Sequence, residues 1–296
     1  VMINTKETCE IDASWLIKEM SQSTIEIEAN HCFKEEKSLR LSVLDIVTPR
    51  TKNPVKLTIY SGEIVGVAGL VGSGRSELLK AIYGLEERIS GSVKVHLEND
   101  QFLSPKNAFE SVNARVGFIP EDRKTQGIFL GQDVGSNITI SSLRSFRTWT
   151  KSLDLTKERA DLTALMSALS IACHSFYQSI ETLSGGNQQK AIVGRWLMAG
   201  CNILLLDEPT RGIDVGAKTA LHNEFLAFRD RGNAILIVSS ELEELMFLCD
   251  RIVVLSDGEC SGHFARHNWS KELMLDAAFR AYQMKKTNTQ DAEQII

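Results

Sequence analysis

The chain has 296 residues, of which 43% are hydrophobic and 24% charged, and a formal net charge of −5. That balance excludes a wholly disordered chain, a collagen and a coiled-coil rod, and it supplies no net basic field to draw nucleic acid. At roughly 150 residues per domain, the length allows one large domain or two ordinary ones with a substantial core.

No apolar run approaches the roughly 18 residues that cross a bilayer. No signal-peptide pattern opens the chain, so export is not expected. The six cysteines (Cys9, Cys32, Cys173, Cys201, Cys249 and Cys260) form no CxxC pair and lie far apart. They read as buried or idle cytosolic thiols, not as a disulfide framework or a zinc site. The six histidines are equally scattered and read as surface or core residues.

In chain order, residues 1–30 read as an end rather than a beginning. The first residue is Val1, which sets the expectation that the chain starts inside something larger. Asp12 is placed to cap a helix through Met20, with Trp15, Leu16 and Met20 on one side. The polar stretch Ser21–Lys37 reads as a linker. Leu39–Ile46 and Val55–Tyr60 read as antiparallel strands near the turn Ser61-Gly62. Glu63–Ala68 is an apolar, β-branched strand followed by glycines, and a helical pattern runs from Arg75 to Tyr83. Val116–Ile119 is another buried strand. Between about Thr125 and Glu181 apolar residues recur at helical spacing, as in Leu162, Leu165, Met166 and Leu169, which predicts an inserted helical subdomain. Strands follow at Ile203–Leu206 and Ala234–Ser239, each preceded by a helix. Ile252–Leu255 is a strand, Asp257-Gly258 a turn, and Ser270–Met284 a capped helix. The polar tail Lys285–Ile296 is expected to fray. Alternation of strand and helix makes the main body α/β.

Three segments carry chemistry. The first is Gly69-Leu70-Val71-Gly72-Ser73-Gly74-Arg75-Ser76, followed by Glu77, which leaves a strand and opens a helix. Glycines there let backbone N–H groups turn inward on phosphate oxygens, and the helix N-terminus adds its positive end. Ser76 is spaced to place its hydroxyl on Mg²⁺. The spacing is that of G-x4-G-K-[ST] except at Arg75, whose planar guanidinium is no neutral replacement for a compact ammonium. Nucleotide binding is expected to survive this change and fast hydrolysis is not. The bland alternative is a strand–helix turn without a ligand.

The second segment is the apolar strand Ile203–Leu206 ending in Asp207-Glu208. In open parallel sheets ligands gather at the carboxyl ends of strands. There Asp207 suits Mg²⁺ held through water, and Glu208 suits a general base. Alone, such a pair is more often a solvated turn. Pro209 stops the strand, and Asp214 follows in Thr210-Arg211-Gly212-Ile213-Asp214, a loop placed to reach across an interface.

The third is Leu183-Ser184-Gly185-Gly186-Asn187-Gln188-Gln189-Lys190, which opens a helix and forms another anion-seeking N-terminus. With these residues the sequence resembles the ATP-binding cassette (ABC) family over roughly residues 38–262. AGLVGSGRSEL at 68–78, IPEDRK at 119–124 and SSELEEL at 239–245 make it most similar to the second cassette of tandem ATPases of monosaccharide import.

The resemblance implies a P-loop NTPase fold with a RecA-like core, an antiparallel β region and a helical subdomain at about 125–184. It makes 1–30 the tail and linker of a preceding cassette, 31–284 the nucleotide-binding domain and 285–296 a frayed tail. It implies ATP and Mg²⁺ as cofactors, Gly69 to Glu77 as nucleotide-binding, and Ser76, Asp207 and Glu121 at the metal. Glu208 becomes the catalytic base. Leu183 to Gln188 would serve a partner's ATP in a head-to-tail pair, with Asp214 and Ser240 beside the site. Implied partners are a first cassette, a membrane permease and, indirectly, a sugar-binding protein, at the cytoplasmic face of the plasma (inner) membrane. The segment Glu121–Ile140, with Arg123, Lys124 and an Ile128-Phe129-Leu130 run expected to be exposed and to want covering, would meet the permease.

Three positions depart from the family pattern: Arg75 replaces Lys, Glu121 replaces Gln, and Ser240 replaces His. The resulting expectation is an asymmetric pair. In it this chain lends an intact signature to a competent site and holds its own ATP in a slower, mainly structural one. A soluble ABC ATPase of ribosomes or DNA would favour basic patches or long heptad insertions, which are absent here. A non-catalytic regulatory cassette is the other alternative.

Overall fold

The computed structural model describes residues 38–97 and 101–293, with side chains to residue 283. The helix and linker predicted between Asp12 and Lys37, together with Cys9 and Cys32, lie outside the described residues. Two sheets stack. The first is antiparallel, with β1 (Leu39–Val47), β2 (Val55–Tyr60), β4 (Ser90–His96) and β5 (Phe102–Leu103) in the order β2-β1-β4-β5. The second holds β3 (Glu63–Gly69), β6 (Val116–Ile119), β7 (Ile203–Asp207), β8 (Ala234–Val238), β9 (Arg251–Ser256) and β10 (Glu259–Ala265). Its order is β10-β9-β3-β8-β7-β6, parallel except for β10 at the edge.

The apolar runs read from the sequence are continuous because both faces of the parallel sheet are covered. In β3, Ile64 and Ala68 face one core while Val65 and Val67 face the other. Leu204 and Leu206 alternate with Ile203 and Leu205 in the same way. One core fills the space toward α5 (Gly185–Met198), α6 (Val215–Asp230), α7 (Leu242–Leu248) and α8 (Lys271–Glu293). The other lies between the parallel sheet, the antiparallel sheet and α1 (Arg75–Tyr83). The short α2 (Ala108–Asn113) leads into edge strand β6.

Between β6 and α5 the described chain enters no sheet. It makes a π-helical turn at Arg123–Gly127, then α3 (Val134–Thr139), a 3-10 turn at Ile140–Phe146 and α4 (Leu155–Ala168). Buried Arg195 of α5 fastens this region, donating to Asn137 O and Gly127 O, each at 2.7 Å. Trp196 Nε1 donates to Phe118 O at 2.8 Å and joins the same helix to β6.

Two expectations need correction. Ile128 is buried in the core, 8% exposed, whereas Phe129 and Leu130 are the exposed members of that run. The helix predicted over Ser270–Met284 starts at Lys271 and continues to Glu293, past the boundary set for a frayed tail. Lys285 to Glu293 contains no Pro or Gly to break the helix.

Candidate nucleotide site

The loop between β3 and α1 turns on glycine. Gly69 has φ +154, and a Cβ there would lie 2.4 Å from Leu255 O and 2.5 Å from Ser73 Oγ, so a side chain is excluded. Gly74, at φ +92, is the N-cap of α1 and offers no side-chain acceptor. The first-turn amides of α1 therefore remain available to an anion at the positive end of the helix. The turn between β9 and β10 braces the loop, with Gly258 N donating to Ser73 O at 3.1 Å.

A cavity of about 380 Å³ opens over this loop. Val71 to Glu77 line it, together with Lys80, Glu121, Glu208, Arg211 and Ser240. The carboxyl ends of β7 and β8 thus bring Glu208 and Ser240 against the phosphate-binding turn. Gly69 and Leu70 stand outside the lining; Leu70 packs against the core and Gly69 closes the strand. Val71 projects outward, 89% exposed.

Ser76 Oγ donates to Asp207 Oδ1 at 2.8 Å. Asp207 Oδ2 and Ser73 Oγ are both buried without a hydrogen-bond partner. Burial, opposed by the Ser76 hydrogen bond and by Lys80, pushes the Asp207 carboxyl up from 3.8. A buried carboxylate oxygen left open beside a hydroxyl is a donor set that suits a hard divalent cation. Glu121 is not part of it: its carboxylate pairs with Arg211. Among the described residues, no three His, Cys, Asp or Glu side chains gather into a metal cluster. Ser76 and Asp207 fit Mg²⁺ as a partner of phosphate oxygens and water, not as a protein-caged ion.

Arg75 does not reach into the cradle. Its Nη1 donates to Ser239 O at 2.6 Å, and its Nη2 lies 3.5 Å from Glu208 Oε1. Burial lowers the Arg75 pKa, while Glu208 and Asp207 resist that shift. Ser240 Oγ donates to the other oxygen of the same carboxylate, Glu208 Oε2, at 3.0 Å. Glu208 itself sits at φ +47, which non-glycine residues adopt rarely. Its amide is held by Val238 O at 2.9 Å and its carbonyl by Arg211 N at 3.1 Å.

The other motif stands apart from this cavity. Ser184 caps α5, accepting from Asn187 Nδ2 at 3.0 Å and Asn187 N at 3.4 Å. Ser184 is exposed, Gly185 half-buried and Gly186 buried. Leu183 is 8% exposed and Gln188 6%. The Gln188 side chain turns inward, donating to Ile180 O at 3.2 Å and accepting from Arg123 Nε at 3.4 Å. Asp214 caps α6 by accepting from Ala217 N at 2.9 Å. It stands beside Gly186 and not over the phosphate loop.

No motif marks Lys80, and the segments that contain Arg123 and Arg211 do not by themselves assign either residue to this cavity. Lys80 and Arg211 line the cavity, reached through the helix and through the loop after β7. Arg123 donates to Arg211 O at 3.1 Å and Gly212 O at 3.4 Å, so it ties the 120s segment to that loop. The adjoining IPEDRK and RGID motifs were visible, but their mutual contact is tertiary.

The ABC transporter family description matches residues 52–211. The chain is 39% identical over 230 residues to a ribose import ATP-binding protein, RbsA, of Clostridium tetani, covering 77% of this chain and 45% of the relative. It is 41% identical over 237 residues to a xylose import ATP-binding protein, XylG, of Burkholderia ambifaria, covering 79% and 45%. The chain spans about half the length of the curated relatives it matches. The solved dimeric structure of a bacterial ABC transporter cassette superposes with TM-score 0.64 at 19% identity, covering 77% of this chain and 100% of that one. The fold is therefore that of a P-loop NTPase cassette, and the chain belongs to the ABC transporter family.

Proposed function

We propose that this chain binds and hydrolyses ATP to energise import of a monosaccharide through a membrane permease. The carrying observation is the uncapped start of α1 beside the Ser76–Asp207 pair with its open buried oxygen. Relatives named for ribose and xylose import supply the substrate class. Bound Mg²⁺ would neutralise phosphate charge at Ser76 and Asp207. The residues do the rest. Amides of Gly72 and of Gly74 to Ser76 are placed to hold phosphate oxygens, while Ser73 N closes the loop on Leu70 O at 3.1 Å, and Glu208 is placed to take a proton from the attacking water.

In the arrangement seen here Glu208 is engaged by Arg75 and Ser240. With both carboxylate oxygens so occupied, Glu208 is not free to receive the proton of an attacking water, so turnover at this loop is slow until Arg75 moves to phosphate. That favours the asymmetric reading, in which Ser184 to Gln188 complete a partner cassette's faster site. Pairing with such a cassette, docking on a permease and residence at the cytoplasmic face of the inner membrane belong to the same proposal. No helix among the described residues is long and apolar enough to cross a membrane.

Titration with a fluorescent ATP analogue, with and without Mg²⁺, tests the binding half of the proposal. Single-turnover hydrolysis by wild type and Glu208→Gln tests the chemical half. Binding that is saturable and Mg-dependent, with hydrolysis lost in the variant, is the expected result. Equal hydrolysis in both proteins would remove Glu208 from the role of base.

A further inference from the structure

Four polar side chains buried beneath the cavity have no part in the chemistry above. Glu244, on α7, is 3% exposed. Its Oε1 accepts from Thr210 Oγ1 at 2.6 Å and lies 2.7 Å from His222 Nε2. Its Oε2 accepts from Ser239 Oγ at 2.6 Å. Thr210, His222 and Ser239 are 4%, 7% and 1% exposed. Sequestering a carboxylate is costly, and apolar residues of similar volume hold a fold as well or better. A buried cluster of this kind therefore calls for a reason beyond packing.

The partners of Glu244 supply one. Thr210 follows Glu208 by two residues at the end of β7, and Ser239 directly precedes Ser240 at the end of β8. Ser239 also receives Glu241 N on its hydroxyl at 3.1 Å and Arg75 Nη1 on its carbonyl at 2.6 Å. One carboxylate thus anchors both strand ends that carry Glu208 and Ser240, and, through Ser239, the seat of Arg75. The left-handed backbone at Glu208 needs such support, because an uncommon conformation persists only where neighbours over-determine it.

We propose that Glu244 is the positioning residue of the nucleotide site: it clamps the ends of β7 and β8 so that Glu208 and Ser240 converge on one point. Glu244 touches no substrate. Its role in turnover rests on the hydrolysis reading above; the clamp itself does not.

The test uses the full chain and three variants: Glu244→Gln, Thr210→Val and Thr210→Ser. Valine keeps the shape of threonine without the hydroxyl, and serine keeps the hydroxyl. Amide exchange, affinity for the Mg-bound fluorescent ATP analogue and single-turnover hydrolysis are measured on each. Expected is exchange about tenfold faster at both 208–212 and 239–242 for Glu244→Gln, and at 208–212 for Thr210→Val, with the interiors of β7 and β8 unchanged in both. Hydrolysis drops about tenfold while affinity stays within about twofold. Thr210→Ser behaves as wild type. The proposal is overturned if exchange is unchanged, rises at one segment only in Glu244→Gln, or rises throughout the domain. It is equally overturned if hydrolysis and affinity fall together. A wild-type chain that neither binds nor hydrolyses nucleotide defeats the functional reading instead, and exchange at the two segments still decides the clamp.

Discussion

Arg75 Nη2 stands 3.5 Å from Glu208 Oε1, so the cation of the phosphate loop faces the candidate base and not the phosphate cradle. Ser240 occupies the other oxygen of that carboxylate. Two of the three departures from the family pattern therefore meet at Glu208, and the third, Glu121, is taken up by Arg211 at the rim of the same cavity.

Arg75→Lys should release this arrangement. An ammonium offers no planar fork to bridge Ser239 O and Glu208, and it fits close to phosphate oxygens. Affinity for Mg-ATP should tighten about tenfold, or ~1.4 kcal/mol, in a fluorescence titration. Unchanged or weaker binding would show that the guanidinium already reaches phosphate once nucleotide is present.

Ser240→Ala deletes one donor to Glu208 in an exposed position, where water screens the bond and its net contribution is about 0.5–1.5 kcal/mol. Single-turnover hydrolysis should change by no more than about tenfold while ATP affinity holds. A loss comparable to that in Glu208→Gln would give Ser240 a direct part in the chemistry.

Asp207→Asn separates stability from function. Burial, ahead of the opposing Ser76 hydrogen bond and Lys80, raises the folded pKa of this carboxyl above 3.8. The folded protein thus holds the proton more tightly than the unfolded chain. The contribution of Asp207 to stability falls as pH rises from the ordinary value through the raised one. Removing the charge should raise the Tm of the Mg-free protein at pH 7, by about 2–4 °C for each kcal/mol regained. The same variant should lose Mg-dependent nucleotide binding. A lower Tm without Mg²⁺ would mean that the open oxygen finds a partner in solution.

Gly186→Ala probes the packing beneath the signature. A Cβ at Gly186 would lie 2.4 Å from Ala217 Cβ, forcing α5 away from α6. Overpacking of this kind costs about 1–3 kcal/mol, readable as a lower Tm in thermal unfolding. ATP binding at this chain's own loop should survive, since Gly186 is outside its lining.

Elements with strong local signals were legible. Val55–Tyr60, Arg75–Tyr83 and Val116–Ile119 match the structure residue for residue, because apolar runs and glycine turns bound them. Strand β4 carries no such local signal: Ser-Gly-Ser opens it and only Val93 and Val95 face a core, so it is defined by pairing with β1. Edge strand β10 has no fully buried residue and is defined by pairing with β9. The site residues were legible as motifs, but the direction of Arg75 was not. Its seat on Ser239 O and Glu208 depends on strand ends far apart in sequence, as do the Glu121–Arg211 pair and the Glu244 clamp.

Calorimetric titration of ATP into the purified chain, with and without Mg²⁺, bears most directly on the whole account. Saturable uptake of one nucleotide per chain with Mg²⁺, sharply weakened without it and abolished in Asp207→Asn, is the predicted outcome. Heat signals that are absent, or indifferent to both the metal and the substitution, would contradict it.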